Sequence, residues 1–165
     1  MRRTLIAAVV AALMLALPAS AAAPQKITRN GVGQVKLGMT FQQLREKGLV
    51  GKLRPGCPLG GTDTRTARLR SPLRGDVDFT LTTPRKVTNV TIRRGARARG
   101  VKVGDRIRDI KDAYPKAKVN KDTEEVFGLW LVRVPRNGGG RITFAVDADT
   151  RRITRIGVPF IPFCE

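Results

Sequence analysis

The chain has no histidine, only two serines and only two cysteines among 165 residues. Histidine is the commonest general base in enzymes and the commonest metal ligand, so its absence excludes the usual catalytic triads and most zinc sites. After the first 21 residues the one serine is Ser71, which stands between Arg70 and Pro72 with no partner base evident. A serine nucleophile is therefore not expected, and we predict neither a cofactor nor a metal site.

Carboxylate pairs are the remaining catalytic option. Asp76 and Asp78 project from the same face of a predicted strand, as a glycosidase pair would, but two acids on a basic protein are more simply salt-bridge partners. Asp105, Asp109 and Asp112 recur at helical spacing beside basic residues, a pattern typical of a solvated helix face. We therefore expect no enzymatic activity, and a carboxylate-based hydrolase is the third function hypothesis.

Acidic residues are few, because 13 Asp and Glu stand against 32 Lys and Arg and the formal net charge is +19. Such a charge favours acidic partners such as anionic cell-wall polymers or phospholipid surfaces. Aromatic residues make up only 5% of the chain and are not interleaved with the arginines, so nucleic acid is the least expected polyanion. The alternative is that the arginines reflect genome composition and have no binding role.

No apolar run approaches the roughly 20 residues of a spanning helix. The run from Leu5 to Leu17 follows Arg2 and Arg3 and is broken by Pro18 and small residues. This pattern predicts a signal peptide over residues 1–21, with cleavage after Ala22 as the alternative. The mature chain is then secreted or extracytoplasmic without a transmembrane segment, and residues 22–30 are expected to be a flexible N-terminus.

The two cysteines are Cys57 and Cys164. An exported chain with an even cysteine count usually pairs its cysteines, so we predict a disulfide between them. The bridge closes a loop of about a hundred residues, which in the chain-entropy model stabilises the fold by roughly 4–5 kcal/mol. It would also hold down the C-terminal tail (161–165) and the apolar residues in and beside it, Phe160, Ile161 and Phe163.

An internal offset of about 66 residues organises the rest of the chain. The sequence VKLG at 35–38 falls on VKVG at 101–104, and the alternating Val77, Phe79 and Leu81 fall on Ile142, Phe144 and Val146. Such self-similarity indicates tandem units. We predict an α+β fold of two tandem repeats, each a helix followed by a three-stranded antiparallel sheet. Repeat 1 covers 31–94 and repeat 2 covers 101–160, joined by a basic linker at 95–100.

The helix start of repeat 1 carries a resemblance to a known family. Thr40 is a good N-cap with Gln43 at the third helical position. The run VKLGMTFQQL at 35–44 resembles the Gly-Met-Thr helix start of small exported modules typified by β-lactamase inhibitory protein and the SmpA/OmlA lipoproteins. VKVGD at 101–105, followed by AYP at 113–115, is similar to a variant of that start. The resemblance implies helices packed on one face of an antiparallel sheet and a second face free to bind protein.

One candidate protein-binding site lies in the segment 127–134, which is apolar on both faces. Phe127, Leu129 and Leu131 are expected to form an apolar stripe on the open sheet face, and such a patch is typical of a protein-binding site. Two alternatives remain open, namely that the tail covers the stripe or that the strand is central and buried on both sides. A secreted, non-catalytic module that binds protein is the first function hypothesis.

A candidate polyanion-binding site surrounds the linker. Its four arginines are suited to bidentate contacts with phosphates or uronates, whereas the alternative is a solvated connection without a ligand. Binding of anionic cell-envelope polymers is therefore the second function hypothesis, through Arg93, Arg94, Arg97 and Arg99.

Overall fold

The structure is a computed structural model that describes residues 23–57, 63–136 and 140–163. The predicted signal peptide (1–21) and Cys164 lie outside these residues. None of the helices within the described ranges is long and apolar enough to cross a membrane. The elements are, in chain order, β1 (Gln25–Thr28), β2 (Gly31–Val32), β3 (Val35–Lys36), α1 (Phe41–Glu46), β4 (Val50–Pro55), β5 (Arg65–Leu69), β6 (Arg74–Phe79), β7 (Val87–Arg94), β8 (Ala96–Arg97), α2 (Ile107–Ala113), β9 (Lys118–Asn120), α3 (Glu124–Phe127), β10 (Leu129–Arg133), β11 (Thr143–Asp147) and β12 (Ile153–Val158).

Eight strands form one sheet in the order β4-β5-β6-β7-β12-β11-β10-β9, and every neighbouring pair is antiparallel. The first four strands come from the first half of the chain and the other four from the second half. The two halves meet where Val90 and Ile92 of β7 pair with Val158 and Ile156 of β12. Both halves therefore share one hydrogen-bonded sheet and one hydrophobic core.

The predicted fold class is wrong. We expected two repeats of a helix and a three-stranded sheet, whereas the protein is mostly β, with 45% strand, 13% helix and two sheets of four and eight strands. The additional strands β4 and β9, which follow α1 and α2, were not predicted. Their sequences, VGKLRP and KVN, lack a clear apolar alternation. They become strands by pairing with β5 and β10, a tertiary interaction that local sequence does not encode.

A second, four-stranded sheet has the order β3-β2-β1-β8. The segment 22–30, predicted to be flexible, contains β1, which pairs antiparallel with β2 and parallel with β8 of the predicted linker. Ile27 opposite Val32 buries this segment in the main core, because both side chains are apolar and sit at either side of a tight hairpin. The N-terminal segment is thus ordered by pairing with residues some seventy positions later in the chain.

Helices α1 and α2 pack on one face of the eight-stranded sheet. The predicted cap of α1 is confirmed, since the Thr40 hydroxyl accepts from the Gln43 N–H at 3.2 Å and the Gln43 side chain accepts from the Thr40 N–H at 2.9 Å. Leu44 of α1 and Ile110 of α2 are fully buried in the core. The opposite face of the sheet, which we call the open face, carries neither α1 nor α2, and Phe127 at the end of α3 packs against the apolar cluster on that face.

Alternation along β6 shows how the two faces differ. Val77 and Phe79 are buried in the core, whereas Asp76 and Asp78 lie on the open face and are partly exposed. Leu81, expected to continue the apolar alternation, comes after the end of β6 and is exposed. Polar and charged side chains therefore occupy the open face of the first half of the sheet.

Candidate functional site

A cavity of about 300 Å³ lies on the open face over the first half of the sheet. Charged side chains dominate its lining, and Thr66 and Thr91 lie among them. We call it the arginine cavity after its four arginines. Its six charged residues are Arg54, Arg68, Arg93, Arg155, Asp76 and Asp78. These residues come from five strands, so the cavity exists only when both halves of the sheet are joined.

The antiparallel register brings these side chains together. Arg68 of β5 lies opposite Asp76 of β6, which in turn lies opposite Thr91 of β7. Arg93 lies two residues after Thr91 on β7 and therefore points to the same face. A bulge leaves Arg93 without a register partner, because Arg74 pairs with Arg94 and Gly75 pairs with Ile92.

Asp76 is held by two arginines. One of its carboxylate oxygens lies 3.0 Å from Arg54 Nη2, and the other lies 2.6 Å from Arg93 Nη1. Charge-assisted hydrogen bonds of this kind orient both guanidinium groups in the cavity. Arg54 Nε is buried and has no hydrogen-bond partner among the described residues. A donor is thus left available beside an already oriented pair of arginines.

Asp78 is held differently, by hydrogen bonds instead of ion pairs. The amide nitrogen of Asn89 donates to Asp78 Oδ2 at 3.0 Å and lies 3.2 Å from the Thr91 hydroxyl. Burial raises the pKa of Asp78, hydrogen bonds from Asn89 and Thr66 offset this only in part, and the charge of Asp76 raises the pKa further. Asp78 therefore keeps its proton to a higher pH than an ordinary aspartate.

Arg68 and Arg155 make no ion pair with an acidic side chain of the described residues. The guanidinium carbon of Arg155 lies 5.9 Å from the ring centroid of Phe163. Burial lowers the pKa of Arg155, and the nearby charge of Arg93 lowers it further. The cavity thus holds four arginines against two aspartates and keeps an excess of positive charge.

The predicted protein-binding stripe is covered by the C-terminal tail. Leu129 and Leu131 are only 8% and 5% exposed and pack with Ile161 in a separate apolar cluster. The ring of Phe127 stacks on that of Phe163 with centroids 4.4 Å apart. Of the accounts left open by the sequence, coverage by the tail is what the structure shows, and the stripe is not an exposed patch.

Backbone contacts fix the tail along the middle of the open face. The N–H of Phe160 donates to Asn89 Oδ1 at 3.3 Å, and the carbonyl of Pro159 accepts from the Thr143 hydroxyl at 3.0 Å. A Cβ on Gly157 would lie 2.0 Å from the Phe160 carbonyl oxygen. Glycine is needed here because the tail backbone comes so close to β12.

Cys57 is disulfide-bonded. Its Sγ lies 3.6 Å from the carbonyl oxygen of Phe163, the residue before Cys164. Cys164 itself, the predicted partner, lies outside the described residues. Cys57 and Pro162 of the tail both line the arginine cavity, so the end of the tail borders that cavity.

The structure does not bring the four predicted polyanion-binding arginines into one site. Arg93 lines the arginine cavity, whereas Arg94 and Arg97 line a separate cavity beside β8. The guanidinium of Arg99 lies 5.2 Å from the ring centroid of Tyr114. Arg93 and Arg94 are neighbours on β7, where successive side chains point to opposite faces, and Arg97 lies on the separate strand β8.

Three cavity residues were missed by sequence reasoning, namely Arg54, Arg68 and Arg155. The alternation of β5 already places Arg68 on the open face, together with Thr66. It does not show that Arg155, in the last strand of the chain, lies on the same cavity.

Comparisons of the chain with protein-family models, curated proteins and solved structures gave no match. The chemistry of the site therefore rests on its own residues.

Proposed function

We propose that this protein is an exported, non-catalytic binding module whose ligand is an anionic cell-envelope polymer. The arginine cavity supports this proposal, because Arg68 and Arg155 have no acidic partner there while Arg54 and Arg93 are already oriented by Asp76. Arginine binds carboxylate and phosphate groups through two parallel hydrogen bonds, so such groups match this lining.

The open face favours an anionic ligand over an apolar protein interface. Protein interfaces are depleted of charged residues at their centres. The apolar side chains suited to such a centre, Leu129 and Leu131, are covered by Ile161. The uncovered part of the face holds the arginine cavity, so the second function hypothesis from the sequence has more support than the first.

One observation favours a carboxylate-based hydrolase as a second candidate function. Asp78 has a raised pKa and shares its cavity with Asp76, and glycosidases use one protonated and one ionised carboxyl group. Binding is favoured because both oxygens of Asp76 are engaged by arginines and Asp78 is held by Asn89. Release of new reducing ends from polygalacturonate by the wild-type protein, and its loss in Asp78→Asn, would replace the binding proposal with the hydrolase.

Binding to immobilised polygalacturonate at low salt tests the proposal. Arg68→Gln combined with Arg155→Gln is expected to weaken binding by about tenfold or more, since a hydrogen bond to a charged group contributes about 1.5–3 kcal/mol. Arg94→Gln with Arg97→Gln is the matched control, because it removes the same charge from a separate surface. Equal losses in the two variants, both with wild-type melting temperatures, would reduce the interaction to general charge attraction and reject the cavity as the site.

A further inference from the structure

A second group of cations borders a groove at the far edge of the sheet. The groove has a volume of about 500 Å³, and its lining among the described residues includes no acidic side chain. We call its cations the edge cluster: Lys118 of β9, Arg133 of β10, Arg136 and Arg141. None of them makes an ion pair within the described residues.

Two members of the edge cluster face each other directly. Arg133 of β10 and Lys118 of β9 are register partners. Like charges directly opposite each other on neighbouring strands destabilise a sheet. An anion bound between these side chains would remove that repulsion, so the arrangement is suited to an anionic ligand.

The edge cluster and the arginine cavity lie on the same row of the open face. Following register partners from Arg68 through Asp76 and Thr91, and then across β12 and β11, leads to Arg133 and Lys118. Three strand spacings separate Thr91 from Arg133, which is roughly 14 Å at about 4.8 Å per spacing. One small anion is too short to contact both groups, whereas a polymer is long enough.

The tail lies between the two groups of cations. It crosses the row above Gly157 and Thr143, and its Phe160 is 49% exposed. An exposed phenyl ring presents apolar surface to a ligand that crosses the tail, and the apolar face of a sugar ring packs well on such a surface. Phe160 therefore offers a contact between the two cationic groups.

The chemistry of the row fits an acidic polysaccharide better than a polyphosphate. On the row Arg68 is followed by Asp76 and Thr91, and Asp78 lies beside the row, two residues from Asp76 along β6. The carboxylates repel a densely charged phosphate polymer but accept hydrogen bonds from sugar hydroxyls. We infer that the open face binds one extended chain of a polyuronate, with carboxylates at the arginine cavity and at the edge cluster and a sugar ring on Phe160. This inference rests on the proposed function and adds a second site to it.

Galacturonate oligomers of defined length, a dimer, a hexamer and the long polymer, test the inference by calorimetry. In the wild-type protein the affinity is expected to rise steeply with length, since linking two sites raises affinity by about 10²–10⁴-fold. Arg133→Gln with Arg136→Gln should leave dimer binding unchanged and weaken binding of the hexamer and polymer by about tenfold or more. Phe160→Ala should likewise weaken binding of the longer ligands only.

The control variant is Arg94→Gln with Arg97→Gln, which removes two positive charges away from the row. If Arg133→Gln with Arg136→Gln binds the hexamer with the same affinity as this control, the second site is rejected. The second site is also rejected if the affinity of the wild-type protein does not depend on the length of the ligand. Tighter binding of a polyphosphate than of a polyuronate of matched charge overturns the choice of an acidic sugar. Each of these results leaves the proposed function standing wherever Arg68→Gln with Arg155→Gln still weakens binding of an anionic polymer.

Discussion

The two halves of the open face use the same strand geometry for opposite purposes. Over β5 and β6, the charged half, the face carries Arg68 and Asp76, whereas over β10, the apolar half, it carries Leu129 and Leu131 and only at the strand end Arg133 of the edge cluster. The apolar half is covered by the chain's own tail through Ile161, and the charged half is left uncovered. Side-chain chemistry, not backbone architecture, therefore decides which part of the face is available to a ligand.

The boundary between the halves follows from the energetics of burial. Covering a leucine stabilises the fold by about 1.5–3 kcal/mol, whereas burying an arginine without a partner is strongly unfavourable. Coverage ends where the ring of Phe163 meets the guanidinium of Arg155. An aromatic ring attracts a cation to its face, so Phe163 can end the apolar tail beside a charged guanidinium without an unfavourable contact.

Removing the disulfide is expected to have the largest effect on stability. It should also erase the difference between the halves, because the tail that covers the apolar half is no longer held down. Cys57→Ser with Cys164→Ser opens a loop of about a hundred residues and should lower the free energy of unfolding by about 4–5 kcal/mol. Urea denaturation measures this change, and the reduced wild-type protein should behave like the variant. A loss below about 1 kcal/mol would contradict the predicted bridge.

Weakening the tail by one side chain should have a smaller effect. Ile161 is 5% exposed, so Ile161→Ala is expected to destabilise the protein by about 2–3 kcal/mol and to expose Leu129 and Leu131. Phe160→Ala is the matched control on the same tail, because an exposed side chain contributes within about 0.5 kcal/mol. Equal melting temperatures for the two variants would show that the apolar half does not depend on its cover.

The charged half should respond to pH through Asp78. Burial raises the pKa of this carboxyl above the ordinary 3.8, so the folded state holds the proton more tightly than the unfolded state. The resulting stabilisation is complete below about pH 3.8 and is lost as pH rises through the folded pKa. The free energy of unfolding of Asp78→Asn minus that of wild type should therefore be larger near pH 7 than at about pH 3.

Asp76→Asn is the control for this pH effect, measured by urea denaturation at the same two pH values. It removes the ion pairs to Arg54 and Arg93 and is expected to destabilise the protein near neutral pH. If the stability of Asp78→Asn relative to wild type instead falls from about pH 3 to about pH 7, as expected for Asp76→Asn, ionised Asp78 stabilises the fold and the assigned direction of its pKa is wrong.

Local features of the fold could be predicted from sequence and long-range pairings could not. The cap formed by Thr40 and Gln43 depends on residues three apart, and the alternation of β6 correctly placed Asp76 and Asp78 on one face. The number of strands was wrong because β4 and β9 are strands only through their neighbours.

The site shows the same limit. The arginine-rich segment was visible in the sequence, yet of its four predicted binding arginines only Arg93 lines the cavity. Arg155 joins the site through the pairing of β12 with β7, two strands far apart in the sequence. The composition made an anionic ligand one of two open interpretations, whereas the location of the cavity depended on tertiary structure.

The central position of β12 also governs when this protein can fold. It is the last strand of the chain, but it lies between β7 and β11 in the sheet. Until β12 has been synthesised, β7 has an unpaired edge, and the strands of the second half lack the strand that joins them to the first half. The sheet is therefore completed only after β12 has been made. The same arrangement makes a truncated product lacking β12 prone to aggregation, because it leaves two long strand edges exposed.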